Sequence, residues 1–363
     1  MKYSKIILVC IVNILCTFLL AEGCTRIFFF LTHKKIEVYR NFSFDHTPHL
    51  HQRDPVLQYK LLPSASRNAF TSEYEIIYTT NSLGLREKEI SDTDKFKIIF
   101  LGDSQTFGVG VPVESRFSDL VEKKVKGIYS INAGVPGYGI HQMFLWLENY
   151  GFSLKPDLVI CSIIAVDLDR AIYKTMENSP FIVDENIVSY NFINSFTRSI
   201  YSKFNHVLGI SYLYSWLKVN CNILLIRHSM AKKERELWNH IMKQGESEGS
   251  KHGYRVRTSA QKKMVMEEAE KNFKNLKNQL QKRKMQLLIV NIDQGPIPWL
   301  QAFLSRENID YLDLSGVLGK SHGITFEIDP HYNKKGHEII ANRLSEYLVN
   351  HYNLEKTSQY GEV

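Results

Sequence analysis

The sequence predicts an α/β fold with a parallel central sheet and crossover helices, preceded by a transmembrane segment and interrupted by a helical insertion. Three observations carry this reading. Short continuous apolar runs, as in "FKIIFLG" and "PDLVICSIIA", are those of strands buried on both faces. Helix-length amphipathic stretches alternate with them. An apolar stretch near the N-terminus follows two lysines.

That stretch, Ile6 to Ala21, is short for a span, which needs about 20 residues. The apolar patch Ile27 to Leu31 extends it, and Glu22 and Arg26 between them stand at i,i+4 spacing, where they pair. Residues 1–31 are therefore a membrane anchor whose charged pair lies near the far interface. A cleaved signal segment is the rival, with "LAEGC" offering small residues near a cut. The basic N-terminus places the main domain outside the cytoplasm, although Lys34, Lys35 and Arg40 put charge on the other flank too.

Residues 32–95 read as a connector with short strands, among them "YEIIYTT". The main α/β domain covers 96–352. Its predicted order is a strand at "FKIIFLG", a helix over 115–126, a strand at "IYSINAG", a helix in "HQMFLWLENYGF" and a strand at "PDLVICSIIA". The rhythm breaks over about 170–260, a helical insertion with a hairpin around Asp184–Asn186 and an exposed polar loop. It resumes with a charged helix over 259–283, the strand "MQLLIVNI", a short helix, the strand "IDYLDLS" and a closing helix. Residues 353–363 form a polar tail.

The 363 residues are 44% hydrophobic and 23% charged, which fits a folded globular chain and excludes a disordered one. The net charge of +7 mixes both signs, and the basic helix alternates with Glu, so a solvated face is expected there and no nucleic-acid partner. The five cysteines form no CxxC pair and no disulfide framework. GxGxxG, Walker A and HExxH patterns are missing, and no metal or cofactor is expected.

Three short stretches could carry chemistry. Gly102-Asp103-Ser104 ends the first core strand, at the sheet edge where open α/β folds bind ligands. Ser104 is either a nucleophile there or, with Asp103, a cap for a helix start. "NAGVPGYG" follows the next strand, and Gly134 could offer a backbone N–H to a ligand or simply fill a turn. "DPHYNKKGH" precedes the last helix; Asp329 can orient His331 and leave its other ring nitrogen as a base, unless both are surface polarity. His337 reads as structural.

Taken together, these stretches resemble, in order, the first, second and last blocks of the SGNH/GDSL hydrolase superfamily. The upstream "NSLGLRE" is similar to a lead-in of its membrane-anchored bacterial members. The resemblance covers about 81–170 and 285–350. It implies a flavodoxin-like α/β/α fold and ester chemistry without a metal. It also implies Ser104 as nucleophile, His331 as general base, Asp329 as its orienter, and the N–H groups of Ser104 and Gly134 as oxyanion donors. The family's further oxyanion donor is an asparagine; here Val166 stands in its place, before Asp167. One lost oxyanion donor costs about 10²–10³ in rate. Gln105 is a nearby amide that could substitute. The Asp-x-His spacing is that of relatives acting on acetylated polysaccharides.

The leading expectation is thus an anchored, extracytoplasmic serine esterase or acyl transferase acting on acetylated glycans or another small ester. A second is an O-acetyltransferase subunit served by a multispan membrane acyltransferase. A third is a catalytically weak glycan-binding or assembly module, which Val166 would favour.

Overall fold

The computed structural model describes residues 2–34, 36, 50–71, 73–172, 211–221, 224 and 259–357. The predicted hairpin around Asp184–Asn186 and the polar loop before 259 lie outside the described residues. The described residues fall into two compact units, one holding α1 (Lys2–Thr32) and α6 (212–221), the other everything below.

The second unit begins with two hairpins, β1 (His51–Asp54) with β2 (Gln58–Leu61), and β3 (Ser66–Phe70) with β4 (Glu75–Thr79). Next come β5 (Phe96–Gly102), α2 (Ser104–Phe107), α3 (Phe117–Lys124), β6 (Val125–Lys126), β7 (Ile128–Gly134), α4 (Ile140–Asn149), β8 (Leu158–Ile163) and α5 (Ala165–Asp169). After the insertion follow α7 (Ser259–Lys282), β9 (Gln286–Asn291), α8 (Pro298–Arg306), β10 (Asp310–Asp313), α9 (Ser315–Leu318), α10 (Lys334–His351) and β11 (Glu355–Lys356).

The central sheet has the order β10-β9-β8-β5-β7, with every neighbouring pair parallel. Numbered by appearance in the sheet, this is the 2-1-3-4-5 order of flavodoxin-like folds. The inner strands are apolar because helices cover both faces: Ile98, Phe100, Leu158, Ile160, Leu288 and Val290 are fully buried in one cluster with Phe117, Ile340 and Leu344. The sheet order reverses between β5 and β8, the switch point where such sheets open a crevice at their carboxyl ends. Ser104 begins immediately beyond β5, at that point.

The segment expected to be a connector packs into the same unit as the sheet. Leu50, Leu57, Tyr59, Leu61, Tyr78 and Leu85 are buried. "NSLGLRE" has a structural explanation. Arg86 is buried, its guanidinium donating to the carbonyls of Phe107 (3.0 Å), Gly108 (2.6 Å) and Val111 (2.7 Å) just after α2. It lies over the rings of Tyr78 and Phe107, at 4.6 and 5.1 Å from their centroids. Part of the tail is ordered as well, with β11 pairing antiparallel to β6. His337 is buried inside α10, where its Nδ1 accepts from the Phe117 N–H at 3.2 Å.

Candidate active site

Ser104 is the first residue of α2, as the helix-start reading expects. Asp103 caps the helix, its Oδ1 accepting from the Gln105 N–H at 2.9 Å. That turn leaves the Ser104 side chain half-buried and pointed at the 329–333 turn. Ser104 Oγ lies 2.8 Å from His331 Nε2. His331 Nδ1 lies 2.5 Å from Asp329 Oδ1, which also accepts from the His331 backbone N–H at 3.0 Å. Ser104 and the Asp329–His331 pair, more than 220 positions apart, thus form one hydrogen-bonded chain. Asn333 caps α10 directly behind them, accepting from Lys335 and Gly336.

The electrostatics suit a base. Burial alone lowers the His331 pKa, but the charge and hydrogen bond of Asp329 outweigh it and leave the net value raised. With Asp329 accepting at Nδ1, the imidazole carries its proton there and offers the Nε2 lone pair to the serine hydroxyl. Asp329 is buried and has a second partner: the Tyr74 hydroxyl donates to its Oδ2 at 2.8 Å. Tyr74 immediately precedes β4, and its ring packs at 4.8 Å from that of Phe326. No sequence pattern pointed to it.

Gly134 is placed beside α2, where a Cβ would collide with the Phe107 backbone nitrogen, so glycine is needed for close packing. Its N–H, however, donates to Asn132 Oδ1 at 3.0 Å. Asn132 is itself fixed, donating to the Thr106 carbonyl and Ser118 Oγ, both at 2.7 Å. The Val135 N–H goes to the Gly102 carbonyl, Tyr138 to Val135, and Gly139 to Gln142. Pro136 has no N–H. Gly137, at φ +83° in the Val135–Tyr138 turn, keeps an N–H with no partner among the described residues.

Val166 lies in the first turn of α5, half-buried and without a side-chain donor. Gln105 does not replace the missing amide. Its Oε1 accepts from the Tyr332 N–H at 3.0 Å and its Nε2 reaches the Pro330 carbonyl at 3.5 Å, so it ties α2 to the histidine turn. Asp167 is buried and caps its own helix through the Ile164 N–H. Burial and the nearby Asp103 charge push its carboxyl well above the usual range, against the pull of Arg170. Arg170 donates to Asp167 (3.0 Å), to the Tyr138 carbonyl (3.3 Å) and, at 3.5 Å, to Asp103. It is the cation that borders the Ser104 turn.

No family model matches the chain, and no curated protein matches it in sequence. Solved structures do match. A member of the lipolytic G-D-S-L family from Veillonella parvula is 14% identical, covering 70% of this chain and 98% of that one, with a TM-score of 0.36. The lipase/acylhydrolase from Enterococcus faecalis is 13% identical over 72% of this chain and 98% of that one, at 0.37. A catalytic mutant of an acetylxylan esterase from Geobacillus stearothermophilus is 14% identical over 70% and 94%, at 0.35. The chemistry of this chain rests on the geometry above. The sheet order is flavodoxin-like, and Ser104, His331 and Asp329 form a serine–histidine–aspartate contact chain just beyond the end of β5.

Proposed function

We propose that the chain is a serine-dependent ester hydrolase that removes or transfers acyl groups, acetyl on cell-surface glycans being the favoured substrate. The observation that carries the reading is the continuous contact from Ser104 Oγ through His331 to Asp329. Ser104 Oγ attacks the ester carbonyl while its proton passes to His331 Nε2. Asp329 stabilises the imidazolium that forms. Collapse of the tetrahedral intermediate breaks the bond to the alcohol, which leaves with the proton from Nε2. Water, deprotonated by the same nitrogen, then attacks the acyl-Ser104 ester and regenerates the serine; a sugar hydroxyl in its place gives transfer.

The backbone N–H of Ser104 is taken as an oxyanion donor, whereas the N–H of Gly134, the other expected donor, is engaged by Asn132 Oδ1. With Val166 lacking a donor, Arg170 supplies the nearest positive charge to that side of the site. The assembled triad favours chemistry over a binding-only role. The second reading, an acyl transferase subunit working with a multispan membrane partner, is favoured by α1, whose window Val9–Thr32 is long and apolar enough to cross a membrane. In this reading α1 anchors the chain and the catalytic unit lies outside the cytoplasm.

The test is release of acetate from an aryl acetate by the detergent-solubilised full chain. Turnover that disappears in Ser104→Ala and in His331→Ala is expected. Equal turnover in wild type and Ser104→Ala would end the nucleophile assignment.

A further inference from the structure

Glu22 is the acidic residue within the apolar window of α1. Its carboxylate accepts four hydrogen bonds: from Arg26 Nε (2.9 Å), Ser211 Oγ (2.7 Å) and the backbone N–H groups of Tyr212 (3.0 Å) and Leu213 (2.9 Å). The last two are among the orphan donors at the start of α6, and an unsatisfied donor is costly where water is scarce. Ser211 completes the cap by accepting from the Tyr214 N–H at 3.1 Å. Rings reinforce the joint. Tyr212 meets Phe29 edge-on at 5.4 Å, and the Arg26 guanidinium sits 4.6 Å from the Tyr212 ring centre.

The polarity of this second helix is inverted for a helix facing water. Ser215 and Lys218 are on its buried side together with Val219. Leu217 and Cys221, at i and i+4, are exposed on it, Leu217 at 44%, and Leu224, beyond its described end, is 62% exposed. A water-facing helix does the reverse. The three aromatic residues Tyr212, Tyr214 and Trp216 crowd its first turns, and Tyr and Trp gather where bilayers meet water. Depth agrees. Counted from Ile6, the roughly 20 residues that fill a hydrocarbon core end near Thr25, so Glu22 and Arg26 fall at its outer boundary.

We propose that the helix beginning at Ser211 is a second membrane contact: it lies in the boundary between headgroups and acyl chains, clamped to the anchor by Glu22, with Leu217, Cys221 and Leu224 turned to lipid. The proposal rests on α1 being a membrane anchor. It makes this part of the insertion a membrane-seated element and leaves no role for it as a freely swinging lid.

The experiment uses the full chain in vesicles of phosphatidylethanolamine and phosphatidylglycerol. The five native cysteines are replaced, and one environment-sensitive fluorophore is placed at Leu217→Cys, Leu224→Cys or Leu19→Cys. Lipids carrying a spin label near the headgroup or near the chain end act as quenchers. Loss of emission at 217 and 224 with the shallow quencher, and at 19 with the deep one, is expected. Glu22→Ala should abolish the loss at 217 and leave that at 19. Quenching at 19 with an aqueous, unquenched signal at both 217 and 224 overturns the membrane seat while keeping the anchor; this is also the outcome if another protein covers these positions. No quenching at any site removes the anchor reading and the proposal together. Unchanged quenching at 217 in Glu22→Ala overturns the clamp.

Discussion

The two oxygens of Asp329 are held by very different parts of the chain. Oδ1 is bound by His331, two residues away, within one turn. Oδ2 is bound by Tyr74, 255 residues away. The same division runs through the site. Turns beyond the ends of the sheet strands supply the proposed reacting groups, and residues of the N-terminal segment hydrogen-bond to those turns. Arg86 holds the carbonyls that follow α2. The Tyr59 hydroxyl donates to the Pro136 carbonyl beside Gly137, and the Tyr138 hydroxyl returns the contact to Tyr59. The proposed reacting groups are local to the parallel sheet, whereas several of their hydrogen-bond partners precede it.

Substitutions can separate supply from bracing. The largest effect is expected for Ser104→Ala, a loss on the order of 10⁴–10⁶ in kcat with the fold intact. Preserved turnover with an unchanged thermal melt would move the nucleophile elsewhere. Arg86→Met is expected to act through stability. It removes the guanidinium donors from three carbonyls, of which that of Gly108 keeps the Val111 N–H, and so costs about 3 kcal/mol, seen as a lower midpoint in urea. If stability is kept and only kcat falls, Arg86 belongs with the reacting groups and the division is wrong.

Tyr74→Phe should lower kcat roughly ten-fold at constant KM, the weight of one hydrogen bond to a charged group. Its pH profile is the sharper readout. His331 must be neutral to act as base, so activity falls as pH drops through its pKa, which Asp329 holds above the ordinary 6.5. Removing the tyrosine donor leaves more of the Asp329 charge to favour the imidazolium, and the acid limb should move further up. A profile that stays in place would make Tyr74 a packing residue.

The smallest effect concerns His337, which burial and then the Arg116 charge hold at a pKa of about 3. Its folded pKa is depressed, so its contribution to stability is present above pH 6.5 and is lost as pH falls toward 3. His337→Gln, which keeps an acceptor for the Phe117 N–H, should flatten the dependence of Tm on pH in that window. An equally steep acid limb in the variant would assign acid unfolding to other groups.

The sheet was legible because strands buried on both faces must be unbroken apolar runs, as Phe96–Gly102 and Leu158–Ile163 are. Ser104, Asp329 and His331 were legible because strand ends and a helix start fix where they stand. The glycine loop was legible, but the partners of its N–H groups were not. Which N–H is open depends on the side chain of Asn132, and spacing carries no information about that contact. Tyr74 and Tyr59 left no signal, since their partners are distant in sequence and their strands are short. Glu22 stood out as a charge in an apolar run, and its pairing with Arg26 followed from spacing. Its bonds to Ser211, Tyr212 and Leu213, 189 to 191 residues on, did not.

The central claim is that Ser104 becomes acylated. The direct measurement is peptide mapping of the full chain after treatment with a serine-reactive phosphonate ester. A single adduct on the peptide containing Ser104, absent from Ser104→Ala and strongly slowed in His331→Ala, is the expected result. No adduct on the active chain, or the same labelling in Ser104→Ala, would contradict it.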